Sequence, residues 1–154
     1  MRRLLLALCL VFATPLSADV TPRAGWQVLP TDKSHAELLD TLKAAVKANR
    51  MGVVTQAGPT GVARKRGIDI PENRVVGVFN NDFAVKVLAT STAAMIEAPI
   101  RFYVTENADG TATLSYKTPS FVFAPYLDEG GDALKSLAAE LDDVFASIAE
   151  AAAQ

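Results

Sequence analysis

Reactive side chains are nearly missing from this chain. Its 154 residues hold one Cys (Cys9), one His (His35) and one Trp (Trp26). A single Cys cannot close an internal disulfide, and one Cys with one His falls short of a standard zinc site. The sequence has no Gly-x-Ser-x-Gly nucleophile elbow and no Walker spacing, so the common Ser hydrolase and nucleotide-binding loops are excluded. The formal charge is −2, which supplies no general attraction to nucleic acid. No apolar run approaches the ~20 residues a membrane-spanning helix needs; the longest, Leu4 to Ala13, has ten.

That run is nevertheless informative. It follows Met1-Arg2-Arg3 and precedes Thr14-Pro15-Leu16-Ser17-Ala18. A basic start, a short apolar stretch and a small residue before Asp19 form the layout of a secretory signal peptide. The expected protein is therefore periplasmic or secreted, with residues 1–18 removed near Ala18 and no integral membrane segment left. Removing 18 of 154 residues leaves 136, without the only Cys and with 13 Lys and Arg against 17 Asp and Glu, a net of −4. Thiol chemistry leaves with the leader, and the fold must rest on its core.

Half of the residues are apolar and 21% are charged, so a packed core is available. Residues 19–30 read as a polar lead-in and a first strand, and 31–154 as one domain. Ser34 and Glu37 have the spacing of a capping box. Leu38, Leu42, Ala45 and Val46 then recur at helical spacing to about Asn49. Met51 to Gln56 reads as a strand, and Val62 to Arg66 as a short helix ended by Gly67. Val75 to Phe79 is apolar on both faces, as in an interior strand. Asn80 or Asn81 can cap a helix carrying Phe83, Val87 and Leu88. Ile100, Phe102 and Val104 alternate with Arg101, Tyr103 and Thr105, the turn is Asn107-Ala108-Asp109-Gly110, and alternation resumes to Tyr116. Leu134, Leu137, Leu141, Phe145 and Ile148 form the stripe of a last helix. The order predicts an α+β two-layer sandwich: a mixed or antiparallel sheet of about five strands, covered on one face by helices.

The segments Met51-Gly52-Val53-Val54-Thr55, Gly67-Ile68-Asp69, Val75-Val76-Gly77-Val78-Phe79-Asn80 and Pro99-Ile100-Arg101-Phe102-Tyr103 occur in an order that resembles the bacterial and archaeal family called domain of unknown function 302. With the flanking helices, the resemblance spans about Thr31 to Glu150. It implies a compact α+β fold able to form a homodimer, with no established activity. Many relatives carry Cys at the positions of Phe79 and Ile100, and Glu at that of Gln56. Thiol or carboxylate roles at those positions do not carry over.

The candidate sites are few. His35 is the only imidazole and is expected on the exposed first turn of its helix, as an incidental surface group. Met51, Met95 and His35 are too scattered for a designed copper site. Asp128, Glu129 and Asp132 suit the start of a helix better than a calcium loop, and Asp142 and Asp143 its wet face. No cofactor or metal is expected. Arg64, Lys65 and Arg66 are the densest positive charge, either a solvated turn or a seat for an anionic ligand or an acidic partner surface. Arg101 and Tyr103, with Thr105 and the hydroxyls of Thr111, Thr113 and Ser115, point to a polar sheet face. That face is either an ordinary wet surface, or a ligand platform or subunit interface bordered by the aromatic segment Phe121 to Tyr126. The reading that follows is a non-catalytic binding or accessory domain. The alternatives are a small hydrolase using carboxylate, Tyr and Arg groups, and a carrier of an apolar ligand held in a cavity between helices and sheet.

Overall fold

A computed structural model of the protein describes residues 20–154. The expected leader and its Cys9 lie outside the described residues. Five strands form one sheet: β1 (Trp26–Thr31), β2 (Gly52–Ala57), β3 (Asn73–Phe79), β4 (Ile100–Glu106) and β5 (Ala112–Lys117). Their order across the sheet is β1-β5-β4-β3-β2, and every neighbouring pair is antiparallel. Of the two expected sheet types, the antiparallel one is present. The strand at Val75 to Phe79 is interior, as its apolar character requires.

The helices are α1 (His35–Ala48), α2 (Thr60–Lys65), α3 (Asn81–Thr90), α4 (Pro119–Phe123) and α5 (Leu127–Ala153). α1 opens on the capping box: the Glu37 amide donates to Ser34 Oγ, and the Ser34 amide donates to Glu37 Oε2 at 2.9 Å. α3 opens on Asn80, whose side-chain oxygen accepts from the amides of Asp82 and Phe83. α5 is interrupted at Gly131, where φ is 57° and ψ −153°, a conformation that only glycine adopts without strain.

α1 and α5 lie side by side and bury Leu38, Leu42 and Val46 with Leu134, Leu141 and Ile148. Beneath them are Val76, Phe102, Val104 and Leu114 of the sheet. Phe145 of α5 stacks on Phe102 with ring centroids 4.8 Å apart and planes 12° from parallel, and Tyr116 tilts against both rings. Each such ring contributes roughly 1.5–3 kcal/mol by burial. The helices α1, α3 and α5 thus occupy one face of the sheet, as the alternation of apolar residues predicts.

The ends of α1 and α2 share one device. In α1 the Met51 amide donates to Val46 O at 3.0 Å and the Arg50 amide to Lys47 O at 3.1 Å. In α2 the Ile68 amide donates to Ala63 O at 3.0 Å and the Gly67 amide to Arg64 O at 3.1 Å. Both are Schellman caps, whose turning residue is left-handed. Gly67 takes it at φ 73°, whereas Arg50 is forced to φ 58°. That costs a non-glycine residue about 1–2 kcal/mol, against about 0.5–1 kcal/mol of extra chain entropy lost by glycine. Arg50→Gly is therefore expected to raise unfolding stability by about 0.5 kcal/mol and Gly67→Ala to lower it by about 1 kcal/mol. Urea denaturation of the two variants beside the wild type checks both signs.

Candidate functional site

Strand alternation decides what the uncovered face carries. β4 turns Ile100, Phe102 and Val104 to the helices, and Arg101, Tyr103 and Thr105 the other way. β5 does the same with Thr113, Ser115 and Lys117. The register then sets these residues in rows. Trp26 pairs with Lys117, and Gly77 with Arg101. Lys117 and Arg101 face each other one step beyond the Phe102–Tyr116 pair. The next row is Val28, Ser115, Tyr103, Val75 and Ala57. A third row is Pro30, Thr113, Thr105 and Asn73.

Small residues in the first two rows leave a depression between larger ones. It forms a groove of about 890 Å³ whose lining includes Trp26, Val75, Arg101, Tyr103, Ser115 and Lys117. That volume lies within the usual range for small-molecule sites, roughly 300–1,000 Å³. A Cβ at Gly77 would meet Thr55 Oγ1 at 2.1 Å and Pro99 Cγ at 2.8 Å, so this end of the cation row is closed by packing. At the other end, the Trp26 ring has Arg23 Cζ 5.0 Å and Lys117 Nζ 5.8 Å from its centroid, both within cation–π reach. Glu97 also lines the groove and accepts a 2.7 Å bond from the Tyr126 hydroxyl. That bond, more than partial burial, holds the Tyr126 hydroxyl above its ordinary pKa.

The expected polar face is thus present, but it is not simply wet. Thr105 and Thr113 are buried and Ser115 is 0% exposed. Ser115 is flanked across the strands by Val28 and Tyr103, which are larger and close over it. Its hydroxyl has no hydrogen-bond partner among the described residues. Thr113 donates to the Asn107 side chain at 3.0 Å, and Thr111 lies in the turn, where its hydroxyl donates to Asp109. The aromatic segment does border the groove. Val122 lines it, and Phe121 packs on Gly25 just before β1, where a Cβ would meet the ring at 2.0 Å.

Of the sequence candidates, Arg101 and Tyr103 come together in this groove. Arg64, Lys65 and Arg66 do not belong to its lining; they end α2, exposed, and Arg64 forms an ion pair with Glu72. Trp26 and Lys117 were not anticipated as site residues. Counting outward from the turn puts Lys117 opposite Arg101, but placing Trp26 requires the pairing of β1 with β5, which no local pattern reveals. Phe79 and Ile100, where the resemblance places thiols in relatives, line one small pocket of about 40 Å³ beside α3 and α5. Among the described residues, no group of three or more His, Cys, Asp or Glu is disposed to hold a metal ion.

His35 requires a correction. It is 8% exposed, not a surface group, and its Nε2 has no partner among the described residues. The first turn of α1 packs against the sheet, so the residue after the cap faces inward. Burial lowers its pKa below the ordinary 6.5; Arg74 adds to this, while Glu72, Glu106 and the Val104 backbone oppose it. The folded state thus binds fewer protons than the unfolded chain just below pH 6.5. Stability falls as pH drops through that value toward the lowered one, and this contribution is flat outside the window. Urea midpoints of the wild type should decline between about pH 7.5 and pH 5, with a shallower decline in His35→Phe. Equal slopes for the two proteins would assign the pH dependence elsewhere.

Comparison with known proteins bears on the fold. The family model for domain of unknown function DUF302 matches residues 27–152. The crystal structure of an uncharacterized conserved DUF302 protein from Bacillus stearothermophilus is similar, with a TM-score of 0.74 at 20% sequence identity. The match covers 84% of this chain and 98% of that one. No curated protein matches the chain.

Proposed function

The chain belongs to the DUF302 family, and from that premise we propose that it is a periplasmic or secreted, non-catalytic binding domain whose ligand seat is the groove on the uncovered sheet face. The observation that carries this reading is the groove itself: about 890 Å³, walled by Trp26, Tyr103 and Val75, with two cations along one side. The basic, apolar and small-residue order of residues 1–18 supports export.

The chemistry of the lining favours binding over turnover. Glu97 is the one carboxylate among the lining residues, and it is engaged by Tyr126. Hydrolysis by paired carboxylates needs two acids across one cleft. An apolar cargo between helices and sheet has little room, because the pocket between α3, α5 and the sheet is about 40 Å³, close to the space of one or two waters. A homodimer is the second reading. Ile96 is 79% exposed and Phe121 43%, and each is next in sequence to a groove-lining residue, so apolar surface flanks the groove.

Native mass spectrometry of the protein exported from its own full-length gene tests the reading. The expected species begins at Asp19 and carries a non-covalent adduct. Val75→Trp, which fills the groove from a half-buried position, should remove the adduct while unfolding cooperatively. An adduct undiminished by that variant, or none on either protein, would overturn the groove as the seat. The same spectra report monomer or homodimer.

A further inference from the structure

The proposed groove has a charge pattern that points to a ligand class, and the inference rests on that groove being a binding site. Arg101 and Lys117 line the groove together, and the β4–β5 register, continued one step past Phe102 and Tyr116, sets them opposite each other. Like charges directly opposite one another weaken a sheet, yet neither is in an ion pair among the described residues. The nearby carboxylate, Glu97, is bonded by Tyr126 instead. Trp26 brings a third cation to the same edge, because Arg23 and Lys117 both lie over its ring. An acidic chain therefore concentrates positive charge along one side of an otherwise apolar groove. A low-dielectric wall beside such a cluster focuses its field into the cleft.

A second observation is independent of charge. Ser115 is 0% exposed, lines the groove one row from the two cations, and has an unpartnered hydroxyl. A buried polar atom left without a partner costs roughly 1–3 kcal/mol. Because Val28 and Tyr103 close over it, a ligand oxygen would relieve that cost only by displacing one of them, so the seat itself rests on the two cations.

We propose that the groove binds an organic acid: its oxyanion seated between Arg101 and Lys117, with an apolar, ring-sized body lying along Tyr103 and Val75. A carboxylate and a phosphate monoester share this chemistry. Arg101 supplies a planar fork suited to either, and Lys117 a point charge held by Trp26.

Calorimetric titration of the mature protein with naphthoate, naphthyl phosphate and the neutral naphthalenemethanol tests it. At least one of the two anions should bind about tenfold or more tightly than the alcohol at low salt. The tighter of the two identifies the headgroup class. Arg101→Gln and Lys117→Gln should each remove most of that advantage and leave the alcohol within about twofold. Both residues are exposed, and Arg101→Lys, which keeps the charge, should retain part of the advantage. If the alcohol binds as well as both anions, the seat is overturned while the groove stands. If none of the three binds, the groove reading falls with it.

Discussion

Phe145 lies flat on Phe102, and Tyr116 leans on both. This three-ring contact joins the longest helix to the central strand β4 and its neighbour β5, and the rest of the architecture depends on it. Once Phe102 and Tyr116 face α5, alternation sends Arg101, Tyr103, Ser115 and Lys117 to the opposite face. A register slip of one residue on either strand would exchange the two sets, burying cations under α5 and exposing aromatic rings. The hairpin turn guards against that slip. The Asn107 amide donates to Thr111 O at 2.8 Å, and Asp109 accepts from the Thr111 amide and hydroxyl. The core contact and the turn therefore specify the groove together, although neither lies in it.

A sheet covered on one side must manage its uncovered face and both edges. The edges are β1 and β2. β1 carries Pro30, which has no amide to offer another strand, and β2 carries a bulge between Val53 and Thr55. Both features discourage pairing of the edges with other chains. The uncovered face is handled by a mixture of closure and concavity. Thr55 and Pro99 pack over Gly77, and the Asn73 side chain donates to Thr60 Oγ1 and to Pro71 O, tying the start of α2 to the sheet. Between these packed parts the surface sinks into the groove.

Much of this was legible in local pattern. Ser34 and Glu37 announced the start of α1, Asn80 that of α3, and the stripe from Leu134 to Ile148 marked the buried side of α5. Alternation along β4 and β5 separated the two faces correctly. The parts that were not legible are non-local. His35 looks like a surface group because its neighbours Ala36 and Glu37 are exposed, and only the packing of α1 against the sheet turns it inward. Thr105, Thr113 and Ser115 look wet because they are polar, and their burial depends on larger neighbours from strands far away in sequence. Trp26 reaches the groove only through the pairing of the first strand with the last.

The placement of charge follows the same logic. In sequence the densest cations are Arg64, Lys65 and Arg66, yet they sit on an exposed helix end where water screens them, and Arg64 is matched by Glu72. Arg101 and Lys117 are 16 positions apart and each is isolated in the sequence. The fold sets them side by side in one groove, with no ion pair to either among the described residues, beside an aromatic wall. Two unpaired cations beside an apolar wall direct their field into a cleft, whereas the cations at the end of α2 stand on an open surface. The convergence of Arg101 and Lys117 is therefore a product of strand register, and it falls on the sheet face opposite α1 and α5.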